Sequence, residues 1–271
     1  MSDKIILCGL KASDYIHPDE ENFQTDGLMN FTLVQKGLDM LNDNSVQLLR
    51  QITEGKWVEL NALTAPELFN ALAEVEKILD FKQIPRIFVK HDWGFQIDCG
   101  GTDYMQMLIP DYITENYDSE MLRFMLGKAV GLFKSRHVQL NTICSVLCDN
   151  VAMRPIQLAL KACLRTTNLT NDRAGLLACQ NISAAIRCLL VEAGFPLSEL
   201  RFLDEEEILA LAKNYLEEMD YMESDLTTDI AAFWRNADNI MAPVYLRLQE
   251  LLNWYDEGYD DVLKKRGGDL Q

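Results

Sequence analysis

The sequence predicts an α+β fold, mainly helical, with one small β-sheet set ahead of a central apolar helix. Two observations carry this. Apolar residues recur at helical spacing through most of the chain, and the period shortens to that of strands only between residues 84 and 109, just before an apolar helical stretch that begins near Ser119. With 271 residues, 48% apolar and 25% charged, the chain has ordinary globular composition and enough length for a sizeable core. No linker or low-complexity tract divides it. One domain over 1–271 is therefore expected: an N-terminal arm and helices over 1–80, a small sheet over 81–112 and a helical body over 113–265.

Residues 1–24 read as an irregular arm containing Pro18 and a cluster of acids. Leu28, Phe31, Val34, Leu38 and Leu41, then Val46, Leu49 and Ile52, give helical periodicity over 28–53. A second helix begins in Thr64-Ala65-Pro66-Glu67. Thr64 can cap it, Pro66 suits the first turn, Glu67 fits the capping-box position, and the pattern runs to about Leu79. Ile84 to Lys90 reads as a strand. Gly94 to Asp98 reads as a second short one, with Cys99-Gly100-Gly101 as a turn. Tyr104 to Ile109 reads as a third, stopped by Pro110. From Tyr117 onward the chain is helical almost to its end, with breaks near Asp149, at Gly194-Phe195-Pro196, over Asp220 to Asp225 and at Ala242-Pro243.

The formal net charge of −17 and pI of about 4.5 set the chain against nucleic acid and anionic membrane surfaces. Its densest acidic runs, Asp204 to Glu207 and Glu217-Glu218, lie in helical sequence and read as solvated helix faces. The apolar patch Ile5 to Cys8 is too short for a secretory signal. Val151 to Leu164 is interrupted by Arg154, Pro155 and Lys161 and falls short of the roughly 18 apolar residues a spanning helix needs. The expectation is a cytoplasmic protein without a membrane span. The seven cysteines form no CxxC pair; they read as small buried hydrophobes in a reducing compartment.

The stretch from Ser119 to His137 contains Leu126-Gly127-Lys128-Ala129-Val130-Gly131-Leu132. It resembles the active-site helix of the HtpX-like gluzincin zinc peptidases, which reads roughly E-L-x-x-V-L-G-H-E-L-G-H-x-x-x-x-H. That chemistry needs two His one turn apart to hold zinc and a Glu after the first to activate the metal-bound water. Aligned on Leu126-Gly127 and Gly131, this chain has Lys128 at the first His, Ala129 at the catalytic Glu and Leu132 at the second His. A later block, Asn168-Leu169-Thr170-Asn171-Asp172-Arg173-Ala174-Gly175-Leu176-Leu177-Ala178, is similar to the family's E-x-x-A-D-R-A-G-L-L-A, whose Glu is the third ligand. Asn168 stands there, and a neutral amide is a poor zinc ligand.

Two further blocks extend the likeness. Leu10 to Pro18 looks like the opening segment of soluble bacterial members. Leu246-Arg247, Glu250-Leu251, Trp254, Gly258-Tyr259 and Val262-Leu263 look like their C-terminal L-R-x-x-E-L-x-x-W…G-x-Y-x-x-I-L segment. The likeness is weak from the 20s to Gly55 and over the acidic helices between Glu205 and Asp229. In the family a strand edge before the active-site helix pairs with substrate, with an Asn-Ala dipeptide just upstream. Here Gln96-Ile97 stands at the dipeptide, and Tyr104, Gln106 and Leu108 mark the strand expected to provide the peptide-binding edge. Met241-Ala242 replaces the family's His-Pro.

Only His17, His91 and His137 exist to rebuild a metal site. His137 reads as a satisfied structural histidine and His91 as a loop residue, with a weak site shared with Asp92 as the alternative. Lys128 opposes any nearby cation.

The resemblance therefore implies a gluzincin-like metallopeptidase fold with a degenerate site and neither catalytic residues, metal nor cofactor. The expected function is that of a pseudo-peptidase binding a peptide or protein partner, or an active peptidase relative. The alternatives are a hydrolase of residual or altered activity, for which Cys99 is the candidate nucleophile, or a structural subunit. The family's Asp in this block orients the first His from behind; here Asp172 faces a lysine position instead. A Lys128–Asp172 ion pair is predicted, against the alternative that Lys128 points into the cleft and Asp172 is satisfied by Arg173 or backbone.

Overall fold

The computed structural model describes residues 4–20, 56–92, 94–101, 104–141, 154–223 and 241–267; the helix read over 28–53 and the break near Asp149 lie outside them. The architecture is α+β and mainly helical with one small mixed sheet, as the sequence predicts. Along the chain come β1 (Val58–Glu59), α1 (Pro66–Ile78), β2 (Arg86–Lys90), β3 (Asp98–Gly100), β4 (Gln106–Pro110) and α2 (Asp111–Asn116). The helices α3 (Ser119–Lys134), α4 (Arg154–Cys179), α5 (Ile182–Ala193), α6 (Leu197–Leu200), α7 (Glu205–Glu223), α8 (Val244–Glu257) and α9 (Tyr259–Arg266) follow.

α1 buries Leu68, Ala71, Leu72, Val75 and Ile78, the stripe that its sequence spacing prescribes. Its N-cap is Ala65, and no side chain caps it. Thr64 is engaged in a turn instead: its hydroxyl donates to the Asn61 carbonyl, and the Asn61 side chain accepts from the Leu63 and Thr64 amides. The expected capping box therefore does not form.

The sheet order is β1-β2-β4-β3. β2 and β4 run parallel, and β1 and β3 add antiparallel on either side. Two expectations need correction. Cys99 lies within strand β3 and not in a turn, because Cys99 pairs with Met107 across β4. The strand that carries Gln106 and Leu108 is interior, hydrogen-bonded to β2 on one side and β3 on the other, so it offers no free edge.

α3 is the axis of the body. Asp118 caps it by accepting from the Glu120 and Met121 amides, and every residue from Met121 to Gly131 is buried. It packs on α1, α5 and, most extensively, α4. The approach to α4 requires glycine. A Cβ on Gly127 would lie 2.4 Å from the Ala178 Cβ and 3.0 Å from the Gly175 Cα; one on Gly131 would lie 2.3 Å from the Ala174 Cβ. α5 starts with the Asn181 side chain accepting from the Ala184 amide, a break between α4 and α5 that the sequence reading did not mark. It ends at Gly194, whose φ of +107° closes the helix where the sequence predicts. The N-terminal arm ties the far ends of α1 and α9: the Leu7 amide donates to the Ile78 carbonyl and the Cys8 amide to Arg266. No helix among the described residues is long and apolar enough to cross a membrane.

Gly127→Ala is expected to lower the urea midpoint. The added methyl improves helix propensity by about 1 kcal/mol, but overpacking against backbone and a methyl costs about 1–3 kcal/mol, and neither helix has a flexible side chain there to yield. An unchanged or higher midpoint would show that α3 and α4 part freely.

Candidate functional site

One cavity of about 380 Å³ lies between α3, α4 and the sheet. All four positions singled out from the sequence line it: Lys128, Ala129 and Leu132 from α3, and Asn168 from α4. Met125 of α3, Thr167 and Asn171 of α4, and Asn141 and Met241 complete the helical wall. Gln96, Ile97, Asp98 and Cys99, entering and within β3, form the opposite wall. The open side of the sheet beside the cavity is therefore β3, which has no second strand partner among the described residues. Of the five residues expected to present a peptide edge, Gln96 and Ile97 line the cavity. Tyr104 lies outside the strand with 73% exposure, Gln106 is buried, and Leu108 pairs with Asp98.

Beneath the cavity lies a cluster of four charges, each from a different helix. Lys128 Nζ of α3 stands 3.0 Å from Asp172 Oδ1 of α4 and 3.9 Å from Glu192 Oε2 of α5. Arg247 of α8 is fully buried; its Nε and Nη2 donate to the two Asp172 oxygens at 2.7 and 2.8 Å, and its Nη1 donates to Glu192. Gln96 Nε2 donates to Glu192 Oε1 at 2.6 Å, which links the cluster to the cavity wall. The predicted Lys128–Asp172 ion pair is present. The main partner of Asp172 is nevertheless Arg247, and not Arg173, which donates to the Ile16 carbonyl and stacks on Trp254. The Lys128 contact is close enough for an ion pair but is not aligned as a hydrogen bond, so its buried Nζ has no aligned acceptor.

Burial raises the Asp172 carboxyl, but the Arg247 and Lys128 charges and their bonds outweigh it and hold it below the ordinary carboxylate value. The converse holds at Arg247. Burial works against its charge, and Asp172 and Glu192 overcome this and push its pKa up. The two shifts agree on a firmly ionised pair.

The histidines lie elsewhere. His137 is buried with both ring nitrogens engaged, Nε2 with Glu20 Oε1 at 2.6 Å and Nδ1 with Asn171 Oδ1 at 3.1 Å. His17 Nε2 meets Glu250 at 3.0 Å, while its backbone amide donates to the Thr170 hydroxyl, which in turn donates to Glu20. These contacts fasten the N-terminal arm onto α4 and α8. The exposed His91 pairs with Asp111, whereas Asp92 pairs with Lys90 at 2.9 Å, so the two do not form a shared site. Among the described residues no three His, Cys, Asp or Glu side chains are grouped to hold a metal ion. Cys99 directs its Sγ toward the Ile97 and Ala129 carbonyls at 3.9 and 3.8 Å, and burial pushes its thiol well up, away from the thiolate a nucleophile needs. No protein-family model, curated protein or solved structure matches the chain.

Arg247→Met is expected to destabilise by about 3–5 kcal/mol, since it leaves the buried Asp172 and the partly buried Glu192 carboxylates facing one ammonium. Lys128→Met is expected to cost clearly less, because Asp172 keeps both guanidinium bonds. Chemical denaturation of the two variants checks the order, and the reverse order would contradict it. A pH titration reads the same cluster. The folded Asp172 carboxyl is depressed, so it contributes stability above its unfolded value of about 3.9. That contribution is lost as the pH falls through the lower folded value. The gap in unfolding free energy between wild type and Asp172→Asn should narrow below about pH 4; a gap constant throughout acidification is inconsistent with an ionised native Asp172.

Proposed function

We propose that this chain is a catalytically inactive relative of the HtpX-like zinc peptidases, a cytoplasmic pseudo-peptidase that binds an extended peptide or protein segment in its former substrate cleft. The observation that carries this reading is the convergence of Lys128, Ala129, Leu132 and Asn168 on one cavity beside the open strand β3. Four positions spread over 41 residues of sequence meet as the zinc ligands and base of such an enzyme would meet, yet they supply an ammonium, a methyl, an isobutyl group and an amide. None of these side chains activates water, and an ammonium repels a divalent ion. What the cleft retains is a groove with backbone hydrogen-bonding groups along one wall, which suits strand addition by a partner. The partner is a peptide, a protein segment or an active peptidase relative.

Three measurements test this. Protein equilibrated with zinc and then mildly chelated should retain no stoichiometric metal and should leave unfolded casein uncut. Extended peptides selected on the folded chain should bind, and Leu132→Trp, which fills the cavity from its partly exposed wall, should weaken them at least about tenfold. One retained zinc per chain, or peptide binding indifferent to Leu132→Trp, would overturn the reading. Ala129→Glu alone should yield no zinc-dependent cleavage, because base and ligands act as a unit. Any recovery should require Lys128→His, Ala129→Glu, Leu132→His and Asn168→Glu together.

A further inference from the structure

We infer that the segment held along β3 is read as an apolar residue next to a basic one, the apolar side chain entering the cavity and the basic one meeting Asp98. This rests on the peptide-binding reading above and specifies what that site recognises. The polar wall of the cavity comes first. Gln96 Nε2 donates to Glu192, and the Thr167 hydroxyl and Asn168 Nδ2 both donate to the Leu164 carbonyl. Asn171 Oδ1 meets His137 Nδ1, and Asn141 is engaged as well. Lys128 Nζ is buried against Asp172, out of reach of an occupant. The wall therefore holds no polar group that waits for a ligand. A carboxylate, ammonium or amide entering it gives up water and gains no matched partner. A hydrocarbon side chain suffers no such loss and gains contact with Ile97, Met125, Ala129, Leu132 and Met241. Two of these five are methionines, whose flexible thioethers adapt to an unbranched, branched or aromatic occupant. The class taken is Leu, Met or Phe.

The pleat of β3 comes second. Side chains alternate across a strand. Cys99 turns its Sγ toward the Ala129 carbonyl of α3 and so marks the inner, cavity face of β3. Asp98 turns to the outer face, where it bonds Lys90 of β2. A strand laid along β3 repeats that alternation, so where one residue points into the cavity its neighbours point outward beside Asp98. The outer position is negative. Lys90 bridges Asp98 at 2.8 Å and Asp92 at 2.9 Å, which sets one ammonium against two carboxylates that are 60% and 48% exposed. His91, the next cation along the chain, is taken by Asp111. The carboxylate left over suits a lysine or arginine, and the net charge of −17 draws a partner of the same sign from a distance.

Capped octapeptides added to the unmodified chain test both positions. Their central pairs are Leu-Lys, Asn-Lys and Leu-Glu in an Ala/Ser/Thr background, Asn being the polar isostere of Leu. The methionine methyl groups are labelled for NMR, and the signals of Met125 and Met241, both in the cavity wall, are assigned with Met125→Leu and Met241→Leu. The Leu-Lys peptide should shift both signals and bind at least about tenfold more tightly than Asn-Lys. At low salt it should also bind more tightly than Leu-Glu, and Asp98→Asn should shrink that second ratio while leaving the first as it was. Equal or tighter binding of Asn-Lys, or Leu-Lys binding that leaves both methyl signals unmoved, overturns the inference. A preference for Lys over Glu that Asp98→Asn leaves intact arises from net charge alone and overturns the basic position. Octapeptides that bind regardless of the central pair would sink the whole inference while leaving the peptide-binding function standing. If no octapeptide binds, both fail.

Discussion

Arg247 is fully buried, and a guanidinium in that position is tolerable only where its charge and its fan of donors are met. Asp172 takes two of those donors and Glu192 a third, while Lys128 brings a second positive charge to the same two carboxylates. The four residues come from α4, α5, α3 and α8, so the cluster is the point at which those helices are locked in mutual register. A rotation of any one by a single residue would withdraw a charge and leave its partner buried alone. Apolar packing elsewhere in the core tolerates small slips; this cluster does not. Its contribution lies less in net stability than in forbidding alternative packings, since an equally well-packed apolar core could match its energy.

The cluster forms only because α3 and α4 approach closely. Gly127 and Gly131 on one helix meet Ala178 and Ala174 on the other, and Gly175 lies against the stem of Lys128 and the ring of Phe124. The Leu126-Gly127…Gly131 frame and the Ala174-Gly175…Ala178 block are thus explained by packing alone. Lys128 then emerges from the helix contact directly beside Asp172. Frame and chemistry are separable in this molecule: the small residues set the spacing of the helices, and the residues facing the cavity are free to be other than ligands.

The local signals in the sequence were the readable ones. The apolar stripe of α1, the apolar run of α3, the Gly194 break and the Pro243 start of α8 each depend on neighbours a few residues away, and each was legible. The strands were located to within a few residues, but their order was not, because placing β4 inside the sheet depends on its parallel pairing with β2 and on the return of β3 along its other side. β1 itself is two residues long and gave no periodic signal. At Thr64 a local competitor, the Asn61 turn, took the hydroxyl that a cap would have used. The Lys128–Asp172 pairing could be argued from motif spacing on two helices. The stronger partner, Arg247, lies 75 residues beyond Asp172 and belongs to no pattern that ties the two together.

Charge balance also couples the four cavity positions to one another. With Lys128 present, the cluster holds two positive and two negative groups. A neutral imidazole at 128 removes one positive charge and leaves Asp172 and Glu192 sharing Arg247 alone. A carboxylate at 129 or 168 adds a negative charge to the same neighbourhood. The changes at 128, 129 and 168 therefore each make the site more negative, and only a bound cation or a captured proton restores neutrality. Lys128 stands in for that cation as a single, covalently fixed charge. Together with Arg247 it holds Asp172 ionised and the helices in place, and an ammonium offers no open coordination position at which water could be activated. The same residue that keeps the core electrically balanced also forms part of the wall of the cavity above it.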